Sequence, residues 1–198
     1  MDRGGPVVSQ ADYSRLRSWY LGGPRLGLTG PAGSGKTTFA RCLEERFGCT
    51  VHGAAAREWL KRNGVREHWT MSAENAMRMQ TDLLEAMFAS RAQVFDRFSA
   101  DTVCFLELAG VTAGREEFES RAVEFARTLD IIVYFPYRSE YLVHDGMRHT
   151  DAKYQMTVAA TIFDWLRRSN LLDRTLIFQH HLSLLANAEL ISGHETTR

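Results

Sequence analysis

The chain has 198 residues, 44% of them hydrophobic, with 24 basic and 24 acidic side chains. That is enough for one domain over 1–198 with an ordinary core, and zero net charge excludes a global field drawing it to nucleic acid or membrane, although a local basic cleft stays open. Cys42, Cys49 and Cys104 are odd in number and lack C-x-x-C spacing, which argues for reduced thiols inside a cell and against a disulfide framework or zinc site.

No apolar signal region follows Met1-Asp2-Arg3-Gly4-Gly5-Pro6, and no run approaches the roughly 20 apolar residues of a membrane span, so a cytosolic protein is expected. Ser9-Gln10-Ala11-Asp12 reads as a capping-box variant. Tyr13, Leu16 and Tyr20 then share a helical face until Gly22-Gly23 stops it. This helix, within 1–23, is expected to pack across the sheet as an N-terminal addition.

Pro24 to Thr29 reads as a short strand, and Thr38 to Leu43 as a helix. Between them lies Gly30-Pro31-Ala32-Gly33-Ser34-Gly35-Lys36-Thr37, which fits the phosphate-binding loop G-x-x-x-x-G-K-[ST]. The chemistry needs these residue types because successive backbone N–H groups must turn inward on a polyphosphate, and glycines permit that close wrap. Lys36 is expected to reach out of the loop to the β- and γ-phosphates without supporting any packing. Thr37 would offer a hydroxyl to Mg²⁺, and the helix opening at Thr38 an N-terminus with N–H donors. ATP and Mg²⁺ are thus the expected cofactors.

Farther along, Cys49 to His52 reads as a second strand and Ala54 to Asn63 as a helix carrying Arg57 and ending at Gly64. Ser72 can cap a helix to about Ser90 with Met79, Leu83 and Met87 inward; Gln80 beside them is either an exposed polar residue or a functional one. Gln93-Val94-Phe95 reads as a strand delivering Asp96 and Arg97 at its carboxyl end. Helices follow from Ser99 to Leu108 and from Arg115 to Leu129, then a strand Ile131 to Phe135 closed by Pro136. Tyr137 to Thr150 is polar and aperiodic. Asp151 can cap a helix with Tyr154, Val158, Ile162 and Trp165 on one face, before a strand Arg174 to Phe178 and a short helix near Leu182 to Leu190.

Strands alternating with helices predict an α/β fold, a parallel sheet sandwiched between helices, with its ligand crevice at the strand carboxyl ends where the loop and Asp96 both emerge. A carboxylate at a strand end beside such a loop suits a second Mg²⁺ support, which makes Asp96 a metal candidate with Thr37. Arg97 could bind a phosphate or an acceptor, or pair structurally with an acid.

Phe95-Asp96-Arg97-Phe98-Ser99-Ala100-Asp101, together with the loop, resembles the D-R-S-x-x-D pattern of P-loop nucleoside and nucleotide kinases of the thymidylate-kinase type, with the serine one position late. Ala56-Arg57-Glu58 resembles the A-R-E step of nicotinamide riboside kinase-like members, and Asp145-Gly146-Met147-Arg148 resembles their lid arginine. The likeness runs from Leu26 to Phe178. It implies a P-loop NTPase fold with a kinase-type lid at about 137–150 and transfer of the γ-phosphate to an acceptor hydroxyl. It also implies that Arg97 and Asp101, with Arg57, line the acceptor site, that Gln80 hydrogen-bonds a base, and that Arg148 closes over the transferring group. Many relatives carry a glutamate where this chain has Ala54, so Asp96 or Asp101 would have to accept the proton, unless none is needed. The resemblance extends to phage kinases of 5-hydroxymethyluracil within DNA, whose open crevice would be lined by arginines such as Arg57, Arg62, Arg66 and Arg138. A free nucleoside or nucleotide and a modified base in DNA both stay open as acceptors. A nucleotide-dependent regulatory ATPase with no acceptor is the alternative.

Overall fold

The computed structural model describes residues 10–53, 55–65, 71–141 and 151–193. Five strands form one sheet: β1 (Leu26–Thr29), β2 (Val51–His52), β3 (Val94–Asp96), β4 (Ile131–Tyr134) and β5 (Thr175–Ile177), in the order β2-β3-β1-β4-β5. Every pairing is parallel; Leu26 lies opposite both Val94 and Ile131, and His52 opposite Phe95. The central strands are apolar throughout because helices cover both faces, as a parallel sheet requires. The strands lie where the hydrophobic runs predict them; β1, β2, β4 and β5 are one or two residues shorter, and β3 keeps its length but is shifted by one residue.

Among the described residues eight helices connect and cover the sheet: α1 (Gln10–Gly22), α2 (Lys36–Phe47), α3 (Ala55–Arg62), α4 (Ala73–Ala89), α5 (Ser99–Leu108), α6 (Arg115–Arg127), α7 (Ala152–Arg168) and α8 (Leu184–Ser192). Two expected caps form, with Ser72 Oγ accepting from the Asn75 N–H and Asp151 Oδ1 from the Tyr154 N–H. Alternate strand residues divide the interior in two. Leu26, Leu28, Val94, Ile131 and Val133 pack with Phe39, Leu43 and Phe47 of α2 and with α8 on one face. Phe95, Ile132 and Tyr134 pack with α4 to α7 on the other. Gly27 faces that second core, where a Cβ would stand 2.5 Å from Leu129 Cδ1, so this strand position takes no side chain.

The N-terminal helix differs from expectation. Rather than crossing the sheet, α1 forms an outer layer against α2 and α8. Leu16 and Tyr20 are buried there; Tyr20 stacks on Phe47 with ring centroids 4.7 Å apart and donates its hydroxyl to the Ala188 carbonyl at 2.9 Å. The reason is that α2 already occupies the sheet face. Ser9 of the expected capping box and the side chain of Tyr13 lie outside the described residues. In the expected lid segment a single 3-10 turn, Ser139–Tyr141, is described. Residues 142–150, which include Arg148, lie outside the described residues, as do Ala54 and Arg66.

Candidate active site

The phosphate-binding loop turns between β1 and α2 through left-handed backbone at Gly33 (φ 73°) and Gly35 (φ 96°), conformations that favour glycine. At Gly30, φ is 138° and a Cβ would meet the Phe135 carbonyl oxygen at 2.3 Å, so the loop leaves β1 hard against β4.

Lys36 departs from expectation. Its side chain does not reach out: the residue is 4% exposed, and Nζ donates to the carbonyl oxygens of Gly30 at 2.7 Å and Pro31 at 2.6 Å and to Ser34 Oγ at 3.0 Å. The ammonium places its three donors on these neighbouring oxygens. Lys36 therefore supports the loop's shape.

Thr37 and Asp96 come together, with Thr37 Oγ1 donating to Asp96 Oδ2 at 2.6 Å. A hydroxyl and a carboxylate beside a phosphate loop fit the sparse protein ligation that Mg²⁺ prefers when substrate phosphates and water supply the rest. Among the described residues no group of three or more His, Cys, Asp or Glu could hold a metal.

Arg97 follows β3 in left-handed backbone, φ 77°, which is costly for an arginine and aims its side chain back along the site. Its Nη1 donates to Asp101 Oδ1 at 2.5 Å and lies 3.5 Å from the Gly30 carbonyl oxygen. Asp101, 2% exposed on the first turn of α5, also accepts from Thr29 Oγ1 at 2.8 Å. Of the two readings left open for Arg97, the pair with an acid forms, and the residue also borders the cavity. Asp101 borders the cavity as well, with both oxygens already engaged. Ser99 turns inward to the Ala122 carbonyl.

One cavity of about 870 Å³ is lined both by the loop and by Met79, Leu83 and Met87 of α4. Gln80 belongs to it and is not an exposed polar residue: it is 6% exposed, and its Oε1 is buried without a hydrogen-bond partner. Arg57 lies at the cavity's edge on α3, its side chain exposed. Arg62 borders a second depression, and Arg138 pairs with Glu140 at 3.4 Å. Of the expected arginine lining, Arg57 thus borders the cavity and Arg62 the depression that shares His52, Gly53, Ala55 and Leu83 with it.

Two residues passed over in the sequence also border the cavity. His52 ends β2 with Nε2 buried and unpartnered, and burial pulls its pKa below the ordinary 6.5 despite the opposing charge of Glu58. Gln155 of α7, 3% exposed, accepts from the Ala32 N–H at 2.8 Å. A glutamine on the inward face shared with Val158 and Ile162 was the available signal. Next to it, burial pushes the Tyr154 phenol up, Cys104 adding to the shift and Arg97 opposing it.

A family model described as an AAA domain matches residues 25–176. The chain belongs to the AAA domain family. This AAA domain is similar to solved structures of NadR protein, one in complex with NR (19% identity, TM-score 0.65) and one with NAD and AMP-PNP (18%, 0.63). The matches cover 94% of this chain but 55% and 53% of those chains, so it spans about half their length. Deoxyadenosine kinase from M. mycoides, with products dCMP and a flexible dCDP bound, is similar over 84% of this chain and 96% of that one (15% identity, TM-score 0.58). Shikimate kinase from Acinetobacter baumannii in complex with shikimate is similar over 88% and 92% (20%, 0.52). Comparison with curated proteins returned no match. The AAA domain thus has the P-loop NTPase fold of kinase type, a five-strand parallel sheet flanked by helices. No helix among its described residues is long and apolar enough to cross a membrane.

Proposed function

We propose that the chain is an ATP-dependent phosphotransferase that moves the γ-phosphate to a hydroxyl of a nucleoside or nucleotide. The observation that carries this reading is Gln80 Oε1, a buried acceptor without a partner in the cavity that the phosphate loop also lines. Such an atom costs about 1–3 kcal/mol unless a ligand supplies a donor, and a nucleobase N–H between the apolar side chains of α4 does so.

Under this reading the backbone from Gly30 to Thr38 cradles the phosphates, and Lys36 leaves the loop oxygens for the β- and γ-phosphates. Thr37 and Asp96 would hold Mg²⁺, which supplies charge neutralisation on the phosphate oxygens. Arg97, fixed by Asp101, faces the transferring group, with Arg57 and Gln80 on the acceptor. Arg148 closes over them from a lid at about 137–150 within one domain that carries residues 1–23 as a helical addition. Since Asp101 is engaged by Thr29 and Arg97, Asp96 is the better placed proton acceptor. A base within DNA, such as 5-hydroxymethyluracil in a phage genome, is the other acceptor, with Arg57 on the cavity and Arg62 on the depression adjoining it.

The test is a screen with γ-labelled ATP against nucleosides, nucleotides and DNA containing 5-hydroxymethyluracil. Label on a free nucleoside or nucleotide is expected, with Gln80→Leu raising the acceptor KM about tenfold or more and leaving ATP affinity unchanged. Label on DNA alone would move the acceptor to the polymer. Slow hydrolysis indifferent to every acceptor would replace the kinase with a regulatory ATPase.

A further inference from the structure

The peptide unit between Pro31 and Ala32 is held from both ends. Its carbonyl oxygen accepts from Lys36 Nζ at 2.6 Å and from Ser34 Oγ at 2.9 Å, and its N–H donates to Gln155 Oε1 at 2.8 Å. The charged anchor and the one on α7 differ in kind. Lys36 is the one charged group of the loop and is drawn away by a polyphosphate, whereas Gln155 is fixed on α7 by the packing of that helix. Tyr134 donates its hydroxyl to the Ala159 carbonyl at 3.1 Å, and Val158 and Ile162 are buried below. Gln155 also lies between Tyr154 and Val158, both of which border the cavity.

We propose that Gln155 is a positioning residue that reads the terminal phosphate of a nucleoside triphosphate through the Pro31–Ala32 peptide and passes the result to the acceptor wall on α7. The inference rests on the nucleotide-binding part of the reading above. While Lys36 holds the Pro31 oxygen, the peptide is clamped and the loop is closed on itself. When Lys36 turns to the β- and γ-phosphates, Ser34 Oγ still holds the Pro31 oxygen from within the loop and Gln155 holds the Ala32 N–H from outside it, so the orientation of this peptide at the triphosphate end depends in part on α7. By linkage, whatever moves α7 also changes triphosphate affinity. A neutral carboxamide suits the position, because its oxygen accepts the N–H without placing a negative charge beside the phosphates.

The experiment compares nucleotide affinities by calorimetry for the parent, Gln155→Leu and Gln155→Glu, using ADP and a non-hydrolysable ATP analogue, with melting of the nucleotide-free proteins. Gln155→Leu is expected to weaken the ATP analogue about tenfold and ADP by less than about twofold, the size of one lost hydrogen bond near a charged ligand. Gln155→Glu still accepts the Ala32 N–H, so it should melt with the parent while weakening the ATP analogue at least as much as leucine does, because its charge opposes the phosphate. A purely structural residue would behave otherwise. Equal loss of both nucleotides in the leucine variant, or recovery of ATP-analogue affinity by glutamate, overturns the inference and leaves the nucleotide reading standing. A parent that binds neither nucleotide removes both.

Discussion

Replacing Lys36 with methionine tests the unexpected conformation of that side chain. The substitution keeps the length of the stem but removes three donors, stranding the oxygens of Gly30, Pro31 and Ser34 that Nζ holds at 2.7, 2.6 and 3.0 Å. Hydrogen bonds from a charged donor contribute about 1.5–3 kcal/mol each, but the ammonium is 4% exposed and its release from burial offsets a large share. A net loss of about 1.5–3 kcal/mol remains, which for a chain of this size lowers the melting temperature by about 3–12 °C. Thermal unfolding should therefore be followed without nucleotide, where phosphate contacts play no part. With nucleotide at about 100 times its Kd the parent gains about 2.7 kcal/mol and the variant little, so the gap should widen. Nucleotide-free Lys36→Met melting within about 1 °C of the parent would refute the reasoning and return Lys36 to a residue that acts on phosphate alone.

Asp96→Asn should raise the Mg²⁺ requirement of turnover, since the amide loses the charge that attracts the cation, while Asp101→Asn should raise the acceptor KM through Arg97 and leave the Mg²⁺ curve unshifted; a Mg²⁺ titration with the opposite pattern would move the metal off β3. His52 has its pKa lowered by burial, so folding favours the neutral ring. Its contribution to stability is full above the unfolded value of 6.5 and is lost as pH falls below it, and His52→Phe should flatten the decline of melting temperature between about pH 7 and 5.5. His180 is shifted the same way, by burial and then by Arg138, so part of the slope should survive; identical slopes in parent and variant would show that His52 titrates normally. Asn170 sits in left-handed backbone, φ 54°, where α7 ends with the Leu171 N–H on the Leu166 carbonyl; Asn170→Gly should raise the melting temperature by about 2–4 °C with activity unchanged, and a lower value would mean that the asparagine side chain contributes there.

Local chemistry was legible in the sequence. The loop, the carboxylate at the end of β3 and the caps at Ser72 and Asp151 all depend on residues within a few positions of one another, and each formed as the pattern predicted. What escaped depends on distance along the chain. Gln155 meets Ala32 across 123 positions, and only the placement of β4 beside β1 brings α7 over the loop. The burial of Gln80 depends on α4 lining the cavity. The hold of Lys36 on the oxygens of Gly30, Pro31 and Ser34 depends on how the loop folds back on itself, which the motif does not spell out. The place of α1 was misjudged for want of knowing that α2 and α8 had filled the sheet face.

The sheet tapers outward, from four residues in β1 and β4 to three in β5 and two in β2. At about 3.3 Å per residue, the β2 edge presents roughly 7 Å of open backbone, too little for another chain to extend the ladder. Self-association by strand addition is thereby discouraged at that side even though β2 carries no proline or lysine to block it. At the β5 edge, Ile177 is half exposed but stands in a strand only three residues long. A stable assembly of this protein would accordingly be built through its helices, and crowding at high concentration should leave the sheet edges unpaired.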